Sequence, residues 1–340
     1  MKLEAEGRDF CLLLFPEVGF AQKQLIRQAV ARKNSIVVRS RVKLRAHWQD
    51  GPKTVVLQSP YLEHYPDYFW EEKLANRQIS FHFVGYGLRM SNWKQGHLRN
   101  PSYAYADAIY LNSYVDFVRM KLRHSRKARL SVDLIVSELL SSQPAPSENC
   151  NPRWLWSSHW SQSWLNGKKG YSRFKESVVP VYDFLRSNPN TVLTFSPHPI
   201  LRDGLESLLQ GQESQNREVR SVAAALRNDL HNYKKLLNLP NFQLSNSSLT
   251  EEILSHQLLI TDGISIIFYW ALTGKPMIVF RDSASPPFGA FGSLCAAFFT
   301  KVKSGNDLKK GLQAISRVGV PSVKSKLLRL IVQADLVTAQ

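Results

Sequence analysis

The chain has 340 residues, of which 44% are apolar, 11% aromatic and 21% charged; this excludes whole-chain disorder and leaves room for two domains of about 100–200 residues each. Its 44 Lys and Arg outnumber 27 Asp and Glu, a net charge of +17, which calls for an anionic partner such as nucleic acid, lipid headgroups or phosphorylated substrates. Cys11, Cys150 and Cys295 lie far apart with no C-x-x-C pair, so neither a zinc finger nor a disulfide framework is expected, and a reducing cytosol fits best.

Glu4, Glu6, Arg8 and Asp9 precede the first apolar run, and no apolar stretch reaches about 18 residues. Neither a signal peptide nor a spanning helix is expected, so any membrane contact would be peripheral. In chain order, short apolar runs follow at 10–15 (FCLLLF), 35–40 (SIVVRS), 53–59 (KTVVLQS), 79–87 (ISFHFVGYG), 108–113 (AIYLNS), 190–199 (NTVLTFSPHP), 257–263 (QLLITDG) and 275–280 (KPMIVF). Several stop at Ser, Gly, Pro or Asp, as buried parallel strands do where they enter loops. Apolar residues recur at three and four spacing over 219–239 and 322–336, which predicts packed helices. Strands alternating with helices predict an α/β fold. The segment SSQPAPSENCNPR at 141–153 holds three prolines and supports neither period, so it reads as a linker between an N-terminal domain, 1–140, and a C-terminal domain, 151–340.

In the N-terminal half, two strands end at Ser59-Pro60-Tyr61 and Gly85-Tyr86-Gly87. These loops are either ordinary strand ends or one wall of an acceptor site. His82 lies within a strand and is expected to pack, whereas His64 sits in an aromatic loop. Lys23, Arg27, Arg32, Lys33, Arg39, Arg41, Lys43 and Arg45 occur with no acid between Glu17 and Asp50, and 119–129 (RMKLRHSRKAR) adds six bases. Each base near an anionic leaflet is worth ~1 kcal/mol, so a cytoplasmic protein held at the inner face of the membrane is expected. Nucleic acid is disfavoured as the partner, because no zinc finger, RNA-recognition signature or basic tail is present.

The stretch LLITDGISIIFYWALTGKPMIVFRD at 258–282 carries the strongest chemical signal. A buried strand stops at Thr261-Asp262-Gly263, and a helix beginning near Ser265 runs to Gly274. Such a break is either an ordinary strand–turn–helix, with Asp262 or Ser265 as helix N-cap, or a cradle in which unpaired helix N–H groups meet a phosphate. A second strand breaks at Ser196-Pro197-His198-Pro199, with Arg202 following; two prolines fix the loop, and His198 and Arg202 both donate to anionic oxygens. No P-loop, G-x-G-x-x-G, G-x-S-x-G, H-E-x-x-H or Asp-x-Asp occurs, so no metal ion or cofactor is expected.

PHPILRDGL, followed about sixty residues later by LLITDGISIIFYWALTGKPMIVF, resembles the C-terminal domain of the CDP-glycerol glycerophosphotransferases, the teichoic-acid polymerase and primase family. WLWSSHWSQSWLNGKKGYSRFKESVVPVYDFLRSNPN resembles the start of that domain. The resemblance spans about 153 to 290. It implies a GT-B-like pair of Rossmann-like domains facing across a cleft, with His198, Arg202, Thr261, Asp262, Gly263 and Ser265 around the donor diphosphate. His159 would face the cleft and serve, with His198, as a catalytic residue, His159 being the candidate general base. The chain has one serine where polymerases of the family have two, and it lacks their N-terminal HGTP loop, so it reads as a relative of the polymerases rather than as one. The implied reaction is glycerophosphate transfer from CDP-glycerol or another nucleotide-diphosphate donor to a lipid-linked or glycan acceptor. Sugar transfer from a nucleotide sugar and a non-catalytic binding module are the alternatives.

Overall fold

The computed structural model describes residues 12–14, 35–37, 40–49, 53–57, 65–76, 78–84, 101–111, 114–130, 134–141, 151–161, 170–214, 216–283, 285, 287–296 and 299–318. The helix expected at 322–336, the loops at 59–61 and 85–87, His64, the bases from Lys23 to Lys33, Arg39 and most of the proline-rich linker lie outside these residues.

Strands β1 (Leu12–Leu14) and β2 (Ser35–Val37) form a parallel pair, and β3 (Lys53–Leu57), β4 (Ile79–Val84), β5 (Ala108–Leu111) and β6 (Ala128–Leu130) form a four-stranded parallel sheet in sequential order. Helices α1 (Arg41–Trp48), α2 (Asp67–Ala75) and α3 (Tyr114–Lys121) complete a first compact unit. Ile79, Phe81 and Phe83 alternate inward along β4, because side chains of a strand point to opposite faces in turn. Phe81 stacks on Phe69 of α2 with ring centroids 5.0 Å apart, and Trp48 of α1 closes the cluster 5.6 Å from Phe69. Arg41 and Arg45 reach from α1 to the buried Glu72 of α2 at 2.5 and 2.7 Å. These two bases of the expected anion-seeking cluster are therefore spent inside the unit, and the Arg45 hydrogen bond holds the Glu72 carboxyl down at about 2.

The second unit contains α4 (Leu134–Ser141), β7 (Arg153–Ser157), α5 (Phe174–Ser187), β8 (Val192–Phe195), α6 (Pro199–Gln210), α7 (Arg217–Leu226), α8 (Leu230–Leu237) and β9 (Phe242–Leu244). It continues through α9 (Leu249–Ser255), β10 (Leu258–Thr261), α10 (Ser265–Thr273), β11 (Met277–Phe280), α11 (Ala290–Cys295), β12 (Phe299–Val302) and α12 (Gly305–Val318). Its six strands are all parallel, in the order β12-β11-β10-β7-β8-β9. The chain steps outward from β7 through β8 to β9, returns to the other side of β7, and steps outward again from β10. The order thus reverses between β7 and β10, and that reversal is where ligands of open parallel sheets bind.

Both faces of this sheet are covered, so its central strands are apolar throughout. Trp154, Trp156, Leu258 and Ile260 pack with Phe174, Val178 and Leu201, while Leu155 and Leu259 pack on the opposite face with Ile267 and Trp270. Val136 and Leu139 of α4 join the latter cluster; the apolar face of α4 draws this helix into the second unit, ahead of the proline-rich segment used to divide the sequence. Helix α10 is buried from Ile266 to Leu272, which is why it reads as apolar all round rather than amphipathic. Gly274 ends it with φ 70°, a conformation open to glycine at no steric cost. The helix expected over 219–239 is two helices, α7 and α8, joined by a 3-10 turn at Arg227–Asp229, where Asn228 and Asp229 favour a break.

Candidate functional site

The strands β7 and β10 run side by side with Ser157 in register with Thr261, so the loops leaving their carboxyl ends open at the same point, the reversal of the sheet. Asp262 follows at once and is 6% exposed. Its carboxylate accepts hydrogen bonds from Ser158 Oγ at 2.9 Å and the His159 N–H at 2.6 Å, both beyond β7. It also accepts from Ser172 Oγ at 3.2 Å and the Arg173 N–H at 2.5 Å, at the head of α5. Burial pushes its pKa up against the pull of these donors. The carboxylate thus faces inward and caps α5, whose own N-cap, Arg173, offers no side-chain bond; negative charge at a helix N-terminus is favourable there. Asp262 was expected to line a donor pocket or to cap the following helix. It does not cap α10, whose N-cap Ile264 makes no side-chain cap bond, and the four hydrogen bonds it accepts run to the β7 loop and α5.

Thr261 is fully buried, and its Oγ1 accepts the Gly263 N–H at 2.9 Å, so that amide is internally satisfied as well. What remains at the turn is the start of α10. Its N-cap is Ile264, which makes no side-chain cap bond, and Ser265 is exposed in the first turn. The N–H groups of Ser265 and Ile266 lead a helix of nine residues that has no side-chain cap from its N-cap residue, and they carry the partial positive charge of the helix end.

His198 stands on the neighbouring loop. Its N–H donates to the Ser158 carbonyl at 2.9 Å, and its Nδ1 accepts the Ile200 N–H at 3.3 Å as the N-cap of α6, with Pro199 at the first helical position. A backbone N–H only donates, so Nδ1 is unprotonated and the neutral ring carries its proton on Nε2. His159 is held in the same way, with Nδ1 accepting the Ser161 N–H at 3.2 Å. Its ring stacks on Tyr171 at 4.4 Å and lies 5.4 Å from the His198 ring. Burial, with the His198 charge adding to it, pushes His159 down to about 3, and burial pushes His198 down to about 4. The general-base role expected of His159 fits this geometry poorly: its basic lone pair already holds a backbone N–H, and protonation would place a charge in a buried ring.

Ser158 joins the two loops, since its carbonyl takes the His198 N–H and its hydroxyl donates to Asp262. His159, His198, Asp262 and the head of α10 are therefore one constellation. Arg202 is turned aside: its Nη2 donates to the Ser245 carbonyl at 3.0 Å beyond β9, beside the buried Glu252, whose carboxylate is bound by the Ser245 hydroxyl. Sequence reasoning passed over Ser158, Tyr171, Ser172 and Arg173. The signals available were the Ser157-Ser158 doublet ending a tryptophan strand and the Tyr-Ser-Arg triplet before α5. The Arg173 guanidinium pairs with Asp282 just past β11, tying a third strand end to the same corner. Among the described residues, no group of three or more His, Cys, Asp and Glu is placed to hold a metal, and no helix is long and apolar enough to cross a membrane.

No protein-family model and no curated sequence matches the chain. Solved structures do. The wall teichoic acid polymerase TagF, soaked with CDPG, aligns at a TM-score of 0.52 and 10% identity over 96% of this chain and 83% of that one. UDP-GlcNAc 2-epimerases align at 0.47 and 14% (Methanocaldococcus jannaschii, 86% of this chain and 79% of that one) and at 0.44 and 12% (Neisseria meningitidis, 82% and 72%). The likeness to TagF establishes the fold alone: two parallel-sheet α/β units consistent with a GT-B architecture.

Proposed function

We propose that the second unit binds the diphosphate of a nucleotide donor at the reversal between β7 and β10, and that the chain transfers glycerophosphate from CDP-glycerol or a related CDP-polyol in the synthesis of a cell-surface polymer. The observation carrying this reading is the uncapped head of α10 beside His198, both anchored through Ser158. The Ser265 and Ile266 amides, the Ser265 hydroxyl and the His198 Nε2–H all donate, which suits a fully ionised diphosphate. In the proposed reaction an acceptor hydroxyl oxygen bonds to the β-phosphorus while the anhydride P–O bond breaks. CMP departs with the electron pair, the acceptor's hydroxyl proton passes to solvent, and the same donors stabilise the charge growing on CMP. His159 braces the His198 ring rather than taking a proton. The acceptor is lipid-linked or glycan, so the reading places the chain at an anionic membrane face. Order and spacing of the His-Pro loop, the ITD turn and the TGKP strand entry support cytidine as the base.

Calorimetric titration with CDP-glycerol, CDP and UDP-sugars is the test. CDP-glycerol is expected to bind in preference to UDP-sugars, and His198→Ala to weaken it about 10–100-fold, the worth of one hydrogen bond to a charged group. A UDP-sugar preference would replace polyol transfer by sugar transfer at the same site, and binding without turnover would leave a binding module. The affinity also has a signed pH dependence. An anion bound at the His198 Nε2–H favours the charged ring and raises its pKa above the free value of about 4, with Nδ1 giving up the Ile200 N–H when it is protonated, so below the raised value binding takes up a proton. Affinity for CDP-glycerol, whose esterified diphosphate does not titrate near neutrality, should strengthen as pH falls through the raised bound-state value and level off near the free one. The slope should vanish in His198→Ala.

A further inference from the structure

Helix α3 ends in a surface that the donor site does not use. Met120 is fully buried on its inner side, while Val118 and Leu122 are 38% and 83% exposed. These two stand one turn apart: the Leu122 N–H donates to the Val118 carbonyl at 3.1 Å, and the Arg123 and His124 N–H groups close the helix on the Met120 carbonyl. Arg119, Lys121, Arg123 and Arg126 surround them and are all exposed. No acid occurs between Asp116 and Asp133, and among the described residues no carboxylate pairs with these four, the Lys121 ammonium lying 5.3 Å over the Phe117 ring. By contrast, Arg41 and Arg45 of α1 are clamped on Glu72, whereas the four bases at this end of α3 are exposed.

Bases at a helix C-terminus meet the negative end of the helix dipole, and one or two would suffice for that. The dipole gives no reason for an 83% exposed leucine in their midst. A leucine and a valine ringed by arginine and lysine match a lipid interface, where apolar side chains enter the headgroup boundary and bases meet anionic headgroups. A nucleic-acid backbone would use the charges and leave Leu122 in water.

We propose that Val118, Leu122 and the four surrounding bases form a docking surface for an anionic lipid leaflet. The purpose of this surface, delivery of the chain to a membrane-borne acceptor, rests on the function proposed above; its existence does not. The test is co-sedimentation of the full chain with phosphatidylcholine vesicles with and without phosphatidylglycerol, at low and high salt. The chain is expected to pellet only with the anionic vesicles and to be released by salt. Removing Arg119, Arg123 and Arg126 together as alanines should weaken binding about fivefold per base. Leu122→Ser removes almost no packing, so the fold is kept, and it should weaken binding about tenfold while leaving the salt dependence intact. Equal pelleting of either variant and the parent, no pelleting of the parent, or capture of an oligonucleotide in place of vesicles would overturn the proposal. CDP-glycerol titration of the same variants separates the two readings: both should bind donor like the parent if donor binding is real, and failure of donor binding would leave the vesicle result standing.

Discussion

Asp262 shows how a single side chain can read as a phosphate-site residue in a sequence and carry a structural network in the fold. Its four donors come from the β7 loop and the head of α5, so its loss strands two hydroxyls and two backbone N–H groups in a buried place. Asp262→Ala should destabilise the chain by about 3–5 kcal/mol, the cost of breaking a buried charged network, and should lower the denaturation midpoint with no change in slope. Asp262→Asn keeps one acceptor oxygen and should cost less; equal loss in both variants would mean that the charge, rather than the acceptors, is what α5 needs. The sequence announced this residue as the end of an apolar run, but the run does not say which way the carboxylate turns. That direction depends on Ser158 and Ser172, which lie 104 and 90 residues away in the chain, beyond the reach of any local pattern. His198 was legible for the opposite reason: its position is fixed by its own prolines and by the N-cap bond to Ile200, two residues on.

The same division holds for elements. The central strands β8, β10 and β11 show in the sequence as apolar runs, whereas β7, Arg-Trp-Leu-Trp-Ser, enters only through the family resemblance of the segment that begins in it. The edge strands β6, β9 and β12 carry exposed positions, as in the outward Gln243 and Leu244 of β9, and leave no run to see. Helix packing is similarly hidden. At Gly204 of α6, a Cβ would lie 2.6 Å from Val222 Cγ1 of α7, so this glycine sets how closely the two helices approach. Gly204→Ala should destabilise by about 1–3 kcal/mol through overpacking, despite the better helix propensity of alanine. Because α6 begins at His198, it should also weaken CDP-glycerol binding. Val222→Ala should relieve the clash, making the double variant more stable than the sum of the singles by more than about 0.5 kcal/mol; strict additivity in urea midpoints would show that the helices move apart freely.

At the scale of the molecule, each unit has its own buried core, Phe69, Trp70 and Phe81 in the first and Trp156, Phe174 and Phe195 in the second. The proposed donor constellation lies in the second: among the described residues, the hydrogen bonds of Ser158, Asp262 and the His198 N–H run among the ends of β7, β8 and β10 and the head of α5. A ligand that binds only the folded state stabilises what it touches in proportion to its occupancy. Amide hydrogen exchange with CDP-glycerol at about a hundred times its dissociation constant should therefore slow exchange in the second core by up to about a hundredfold, where exchange there proceeds through unfolding of that core. Protection in the native state should be strongest at 158–161, 196–200 and 264–267, the loop and helix-head amides of the proposed cradle. Protection centred on β3 to β6 instead would place the donor in the first unit and remove the head of α10 from the chemistry. Binding of phosphatidylglycerol vesicles should produce a different footprint, at 118–126, in the first unit, and its appearance at 264–267 instead would remove α3 from the lipid contact.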